Sequence, residues 1–127
     1  EISTALADNC GSGDKFGLIF RLQDADNYYT FQIDCDGRYR FARYGGGAAT
    51  PILDWTATPA IDRGAKAANK LGVSAKGSAF ILSINDTQVA TATDTAYASG
   101  RFGLWVGSNV TKNFTVLFDD LRAYQLP

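Results

Sequence analysis

The chain has 127 residues, of which 46% are hydrophobic, a composition that suits one globular domain and argues against wholesale disorder. Its 12 Lys and Arg residues nearly balance 13 Asp and Glu residues, so the net charge of −1 gives no electrostatic preference for nucleic acid or for an anionic membrane. The absence of histidine excludes His-dependent catalytic triads and His-ligated zinc sites. No apolar run approaches the roughly 20 residues that a membrane-spanning helix needs, so we expect no membrane insertion.

Short runs rich in Val, Ile, Phe, Tyr and Thr, separated by turn residues, predict β-strands throughout. Pro51, Pro59 and Gly64 interrupt the stretch of about 45–69, for which we expect a long irregular connection. Strands without intervening helices predict an all-β fold, an antiparallel two-sheet sandwich formed by one domain over 1–127. The predicted strands are 1–7, 16–23, 28–34, 38–44, 70–75, 78–84, 88–92, 101–106 and 114–124.

The alternation of side chains in the first three long strands predicts two different faces. The large apolar set should form the core, because burying one such side chain contributes about 1.5–3 kcal/mol. This set comprises Leu18, Phe20, Tyr29, Phe31, Ile33, Tyr39 and Phe41. The opposite face is polar and comprises Arg21, Tyr28, Thr30, Gln32, Arg38, Arg40 and Tyr44.

The two cysteines, Cys10 and Cys35, are either buried free thiols or a disulfide. A hairpin turn near 24–27 would set Cys35 opposite the start of the preceding strand, close to the loop that contains Cys10. This arrangement would bring the two Cα atoms within the roughly 4.4–6.8 Å that a disulfide requires. We predict the Cys10–Cys35 disulfide, and with it an oxidising location, extracellular or at the cell surface.

Seven segments carry a family resemblance: F-G-L-I-F-R-L-Q-D-A-D-N-Y-Y-T-F-Q-I (16–33), D-G-R-Y-R (36–40), D-W-T-A-T-P-A-I (54–61), N-K-L-G-V (69–73), F-I-L-S-I-N-D-T (80–87), S-G-R-F-G-L-W-V-G (99–107) and V-L-F-D-D-L-R (116–122). Together they resemble the laminin-G-like, concanavalin-A-like jelly rolls of bacterial extracellular proteins, close to the group of 3-keto-disaccharide hydrolase-type domains. The resemblance implies a jelly roll that binds ligands on its concave sheet or on the loops of one rim. Family members have further strands before the first one found here, which implies that N-terminal strands are missing or supplied by another chain.

The polar face suggests a sugar-binding site. Sugar recognition needs flat aromatic surface for the C–H faces of the ring and planar polar groups for its hydroxyls, and the fork of donors on Arg suits the second task. We predict a ligand-binding set of Arg21, Tyr28, Gln32, Arg38, Arg40, Tyr44 and Trp55. The alternative is a solvated face held by cross-strand pairs, such as an Arg with Asp34, with Trp55 plugging the end of the sandwich.

Several other residues have a structural and a functional interpretation. Asp24, Asp26 and Asn27 form an oxygen-rich turn that is either a Ca²⁺ site or a locally hydrogen-bonded turn. Trp105 is expected to pack in the core or between the sheets, with ligand contact as the alternative. If the last strand is central, one carboxylate of Asp119-Asp120 must face inward, with a partner such as an Arg. Asn-X-Thr triplets make candidate glycosylation sites of Asn85, which is predicted at a hairpin tip, Asn109 and Asn113.

Three functions are compatible with these observations. The first is a non-catalytic extracellular module that binds a glycan or mediates adhesion within a larger surface or secreted protein, with a glycan or cell-surface polymer as its partner. The second is a structural subunit of a surface assembly, in which another copy or an upstream segment completes the sheet. The third is a fragment of a glycoside-processing enzyme. A catalytic pair is difficult to assemble, because the available acids are Asp34, Asp36, Asp54 and Asp62 without evident mutual placement.

Overall fold

The computed structural model of the protein describes residues 1–6, 10–109 and 111–123, and all regular structure in these ranges is β-strand. Every predicted strand is present. The observed bounds differ from the predicted ones by a few residues, and the difference is largest at the last strand. No helix that could cross a membrane occurs in these ranges. The strands are β1 (Ile2–Leu6), β2 (Lys15–Asp24), β3 (Asn27–Asp34), β4 (Arg38–Gly45), β5 (Ala48–Ala57), β6 (Ala68–Lys76), β7 (Ala79–Ile84), β8 (Thr87–Thr93), β9 (Arg101–Gly107) and β10 (Val116–Asp119).

The strands form two antiparallel five-stranded sheets, which confirms the predicted two-sheet architecture. One sheet has the order β10-β1-β6-β7-β8, and the other has the order β5-β4-β3-β2-β9. We call the second one the meander sheet, because β2, β3, β4 and β5 follow one another in both sequence and space. Its middle strands are held by continuous antiparallel pairing, in which Phe31 lies opposite both Leu18 and Phe41.

Aromatic rings from both sheets meet in the core. The Phe20 ring lies 5.6 Å from Phe41 in the same sheet and 5.8 Å from Phe80 in the other sheet, between ring centroids. Tyr29 contacts Phe80 edge-on at 5.2 Å and is fully buried. All seven core residues predicted from the alternation are buried, so the core prediction is confirmed.

The expected irregular connection at about 45–69 is partly wrong, because strand β5 occupies Ala48–Ala57. Pro51 has no N–H for a sheet hydrogen bond, but β5 is an edge strand with one unpaired side, where proline is tolerated. Pro51 pairs with Ala42, and the register of β5 shifts on both sides of Phe41. The strand therefore accommodates its proline through edge position and bulging.

The predicted disulfide between Cys10 and Cys35 is present, with a distance of 5.5 Å between Cα atoms. It ties the loop before β2 to the turn after β3. The backbone N–H of Cys35 also donates to the carbonyl of Asp14, at 3.1 Å, so the two segments are joined by a hydrogen bond beside the covalent link.

Candidate functional site

One row of residues crosses all five strands on the outer face of the meander sheet. The β2 member is a glycine, and the Gln32 side chain is buried, with its Nε2 donating to Thr30 Oγ1 at 2.8 Å. Gly17 on β2 lies opposite Trp105 on β9 and opposite Gln32 on β3, and Gln32 lies opposite Arg40 on β4. The β4–β5 register shifts between Tyr39 and Phe41, which places Trp55 against Arg40 at the other end of the row. We call this surface the arginine–aromatic face; it comprises Tyr28, Gln32, Arg38, Arg40, Tyr44, Trp55 and Trp105.

Two guanidinium groups stack on one indole ring. The guanidinium carbon of Arg40 lies 5.0 Å from the centroid of the Trp55 ring, and that of Arg38 lies 5.5 Å from it. Attraction between a cation and the electron-rich face of an indole contributes about 0.5–1 kcal/mol at exposed sites. Trp55 is half-buried, so its ring is held in place while part of its surface remains open.

Tyr28 and Tyr44 form the second aromatic element. Their rings stack with centroids 4.7 Å apart and an angle of 16° between their planes. The Tyr44 hydroxyl receives long contacts of 3.4 Å from both Gln32 Nε2 and the Arg40 guanidinium. Burial raises the pKa of Tyr28, the neighbouring Tyr44 raises it further, and a hydrogen bond from Trp105 partly offsets the rise. The tyrosine pair therefore links the two ends of the row.

Asp34 holds Arg38 in place. The Asp34 carboxylate is buried and forms a salt bridge of 2.7 Å with Arg38, and its second oxygen accepts the backbone N–H groups of Asp36 and Arg38. The cross-strand alternative considered for this face is therefore realised for one arginine. Arg38 is positioned by a buried anion, and its guanidinium is presented over Trp55.

Arg40 lacks such a partner. Its Nη2 atom contacts Gln32 Oε1 at 3.3 Å and the Tyr44 hydroxyl at 3.4 Å, both long for a hydrogen bond. Its Nε–H is buried without any hydrogen-bond acceptor. No carboxylate of the described residues lies within 4.0 Å of it. The centre of the arginine–aromatic face thus carries a positive charge that the protein leaves uncompensated.

Arg21 does not lie on this face, contrary to the prediction. β2 bulges after Phe20, and Arg21 has a positive φ of 49°, so its side chain turns toward the other sheet. There it lies 4.9 Å from the Phe80 ring centroid and donates hydrogen bonds to the carbonyls of Gly77 and Tyr97. Between Phe20 and Asp24, β2 has two more residues than the facing part of β3, so the simple alternation of faces ends at Phe20, and the sequence pattern alone did not reveal it.

The two tryptophans also differ from their predicted positions. Trp55 belongs to strand β5 instead of a loop. It does not plug the end of the sandwich, because its ring packs against the guanidinium of Arg40. Trp105 is not in the core: it shares the outer face with Tyr28, whereas its neighbours Leu104 and Val106 lie opposite the core residues Leu18 and Phe16. The sequence contained one signal for the outward position of Trp105: glycines occupy positions 103 and 107, which share its side of the strand.

The acidic turn is held by its own hydrogen bonds. One Asp24 oxygen accepts the backbone N–H of Asp26 and the side-chain N–H of Asn27, both at 2.8 Å. These hydrogen bonds, first the one from Asp26, lower the pKa of Asp24. The described residues contain no group of three or more acidic or thiol side chains that could hold a metal ion. The geometry favours the turn interpretation, and Ca²⁺ binding by Asp24 and Asp26 stays a prediction.

The glycosylation candidates differ in what their amides do. Asn85 lies in the predicted hairpin turn, but its amide donates to the carbonyl of Ala60 and to Asn69, so a glycan there would displace two hydrogen bonds. The Asn109 amide donates to the carbonyl of Ser12. Asn113 is exposed. The use of these sites stays a prediction, and among them Asn113 has the least engaged position.

The remaining acidic candidates are dispersed. Asp119 and Asp120 are both exposed. An inward carboxylate was expected only for a central last strand, and β10 is an edge strand. Asp54 accepts the backbone N–H of Trp55. Asp62 lies in the connection to β6, where its N–H donates to Asn69. Asp34 and Asp36 both face Arg38.

Two cavities lie away from the arginine–aromatic face. A cleft of about 890 Å³ opens between the sheets, where Leu18, Phe20 and Phe102 line it. A smaller one of about 420 Å³ lies beside the disulfide and Ile61. The larger cleft contains Arg101 beside Phe102, but guanidinium groups stacked on an indole ring occur only on the sheet face among the described residues, so we place the candidate binding site there.

No protein-family model matches the chain, and no curated protein sequence matches it. Among solved structures, the carbohydrate binding module CBM66 from Bacillus subtilis is similar, with a TM-score of 0.68 and 27% sequence identity over 94% of this chain and 71% of that chain. The fold is a jelly-roll sandwich. The narrower resemblance to laminin-G-like and 3-keto-disaccharide hydrolase-type domains stays a prediction.

Two galectins share the fold at lower identity. Caenorhabditis elegans galectin LEC-6 matches with a TM-score of 0.56 and 16% identity over 84% of this chain and 74% of that chain. Sheep galectin-11 (LGALS11), in complex with glycerol, matches with a TM-score of 0.54 and 9% identity over 92% of this chain and 87% of that chain. At this identity the likeness concerns the architecture alone.

Proposed function

We propose that this chain is a carbohydrate-binding module that holds a glycan on its arginine–aromatic face. The observation that carries the proposal is the row Trp105–Gly17–Gln32–Arg40–Trp55, in which indole rings at both ends flank the guanidinium of Arg40, and the buried Gln32 contacts that guanidinium. Aromatic rings stack on the apolar C–H faces of sugars, while guanidinium groups bind hydroxyl pairs. The similarity to CBM66 supports the same class of ligand.

We further propose that the module binds its glycan without cleaving it and that it acts outside the cytoplasm. Of the acids near the face, Asp34 is committed to Arg38 and Asp54 to the backbone of Trp55, which leaves no matched pair for acid–base chemistry among them. The disulfide between Cys10 and Cys35 supports an extracellular or cell-surface location. The module would attach a larger surface or secreted protein to a glycan or a cell-surface polymer.

The test is a glycan array followed by affinity electrophoresis with the 127-residue chain. We expect retention by at least one carbohydrate, and its loss in Trp55→Ala and Tyr44→Ala. Phe102→Ala is the matched control, because Phe102 is an exposed aromatic residue, 51% accessible, outside the arginine–aromatic face. Absence of any retention, or retention unchanged in both face variants, would refute the proposal.

A second candidate function concerns the edge strand β9. Its core-side residues Phe102, Leu104 and Val106 are 51%, 43% and 47% exposed, and in the described structure β9 pairs only with β2. Exposed apolar residues along a free strand edge favour strand addition. We propose that the occupant is the same edge of a second copy, because an antiparallel strand pairs with itself about a twofold axis and juxtaposes identical apolar rows.

Light scattering over a range of concentrations tests this second candidate. We expect a dimer that dissociates in Leu104→Lys. Leu117→Lys is the control, since Leu117 is 56% exposed on β10 of the other sheet. A monomer at every concentration, or a dimer that only Leu117→Lys disrupts, would contradict strand pairing through β9.

A further inference from the structure

We infer that the glycan bound by the arginine–aromatic face is acidic, and that a sugar carboxylate of the uronic-acid type binds Arg40. This inference rests on the proposed carbohydrate-binding function and specifies its ligand. It follows from the charges and hydrogen bonds of the face, which separate the two arginines into different roles.

Arg38 is already neutralised. It forms a salt bridge of 2.7 Å with buried Asp34 and lies 3.7 Å from Asp36. Its Nε–H also donates to Asp34, at 2.8 Å. A ligand anion at Arg38 would compete with the buried Asp34 carboxylate, so Arg38 serves to position Trp55 and to bind neutral hydroxyls.

Arg40 has the opposite character. Its Nε–H is buried without an acceptor, and its Nη2 contacts with Gln32 and Tyr44 are long, at 3.3 and 3.4 Å. A buried donor left unpaired destabilises the protein, and more strongly when the group is charged. A ligand that supplies two acceptor oxygens to the Nε–Nη2 edge would relieve this destabilisation, and a carboxylate has the matching geometry.

The neighbouring anions do not compensate Arg40. Asp34 and Asp36 face Arg38, Asp54 accepts the backbone N–H of Trp55, and none of them lies within 4.0 Å of Arg40. Lys15, opposite Asp34 in the next strand and half-buried, forms no ion pair within 4.0 Å either. Arg40 and Lys15, two cations without a carboxylate partner among the described residues, therefore favour a negatively charged ligand.

A carboxylate that bound Arg40 would replace the contact that the Tyr44 hydroxyl makes with it. This hydroxyl accepts the weak contact from Arg40 Nη2, and it belongs to the tyrosine pair stacked at 4.7 Å. Because Nε is shielded from water, the ligand reaches it only by displacing a neighbour. The contacts of Arg40 Nη2 with Gln32 and Tyr44 are almost equally long, at 3.3 and 3.4 Å, but Gln32 is fully buried and Tyr44 is half-buried, so we expect the Tyr44 hydroxyl to be displaced.

The experiment compares matched glycans that differ only in their carboxylates. Polygalacturonate, alginate and glucuronan oligosaccharides are arrayed beside their carboxyl-reduced, neutral counterparts, and affinities of the full chain are measured by calorimetry. We expect at least a tenfold preference for one acidic form over its reduced form, and a preference that weakens as salt rises.

Arg40→Gln should abolish the preference while the variant keeps the wild-type circular dichroism and melting temperature. Arg40→Lys should retain part of it, because the charge stays but the planar fork is lost. Lys76→Gln, which removes one charge from the other sheet, should leave it unchanged.

The outcomes separate this inference from the proposed function. Trp55-dependent binding with equal affinity for acidic and reduced forms would overturn the acidic ligand and keep the carbohydrate-binding module. An acidic preference that survives Arg40→Gln would overturn the role of Arg40. Absence of Trp55-dependent binding to any acidic or neutral glycan would overturn both.

Discussion

The Tyr29 hydroxyl donates a hydrogen bond of 2.5 Å to the carboxylate of Asp94, so the most buried tyrosine of the meander sheet is tied to the segment that follows β8 of the other sheet. Asp94 also receives the guanidinium of Arg43 at 2.7 Å and the backbone N–H of Ala96 at 2.9 Å. The Tyr29 hydroxyl in turn accepts the N–H of Tyr97. This network fixes one end of the sandwich on which the candidate site lies.

We predict that Asp94→Asn lowers the free energy of unfolding by about 1–3 kcal/mol, because it weakens a charge-assisted hydrogen bond and removes an ion pair that is partly exposed. The measurement is urea denaturation followed by tryptophan fluorescence. Asp86→Asn is the control, since Asp86 is paired only with Lys70 at the surface. Equal stability of wild type and Asp94→Asn would contradict a structural role for the network.

The hydrogen bond between Tyr29 and Asp94 predicts that the stability of the protein depends on pH. Burial, the largest single influence, raises the pKa of Asp94, but hydrogen bonds from Tyr29 and Ala96 and the charge of Arg43 outweigh it, and the net pKa is lower than the ordinary 3.8. A carboxyl whose pKa is lowered by folding stabilises the folded state above its unfolded pKa and loses that contribution as pH falls through the folded value. The stability gap between wild type and Asp94→Asn should therefore be full at pH 7 and shrink below about pH 4. A gap that stays constant down to pH 2 would contradict the assignment.

Gly17, a member of the binding row, tests the close contact between β2 and β3. A methyl group at Gly17 would lie 2.0 Å from the carbonyl oxygen of Phe31 and 2.8 Å from the Cα of Gln32, which the backbone cannot accommodate without moving. We predict that Gly17→Ala costs about 1–3 kcal/mol of stability and weakens glycan binding, because it displaces Gln32. Gly103→Ala is the matched control: its added methyl would meet only Ile19, at 3.8 Å, so its stability should change by less than about 0.5 kcal/mol. Similar thermal unfolding of the two variants would refute this prediction.

The disulfide should stabilise the loop before β2. The cysteines are separated by 25 residues, and closing a loop of this size contributes about 2–4 kcal/mol by restricting the unfolded chain. We predict that Cys10→Ser with Cys35→Ser melts at a lower temperature than the oxidised wild type, which should show no thiol titratable under denaturing conditions. Two titratable thiols in protein purified under oxidising conditions would contradict the pairing.

The alternation of side chains was sufficient to predict the core and most of the strands, because Phe31 and Tyr39 lie in long, uninterrupted pairing on either side of a tight turn. It was not sufficient where pairing is irregular. Arg21 follows a bulge, and its positive φ turns it away from the face that the alternation predicted. Pro51 suggested a loop, since only the sheet order reveals that β5 is an edge strand.

The candidate site was predictable in composition but not in arrangement. Tyr28, Gln32, Arg38, Arg40 and Tyr44 lie together because they alternate along two adjacent strands. Trp105 was expected in the core, because an apolar run does not reveal which of its sides faces outward until its register with β2 is known. The unpaired state of Arg40 likewise depends on three-dimensional contacts that sequence spacing does not contain.

An NMR titration can locate a bound glycan on the arginine–aromatic face. The chain has only two tryptophans, so the two indole N–H signals report on the two ends of the binding row, and the Arg40 Nε–H reports on its centre. With a carbohydrate identified on the array, we predict that all three signals shift together and saturably, while the backbone signals of Ala75 and Phe102 beside the inter-sheet cleft stay in place. Saturable shifts at Ala75 and Phe102, with both indole signals and Arg40 unchanged, would place the ligand in the cleft and contradict the account.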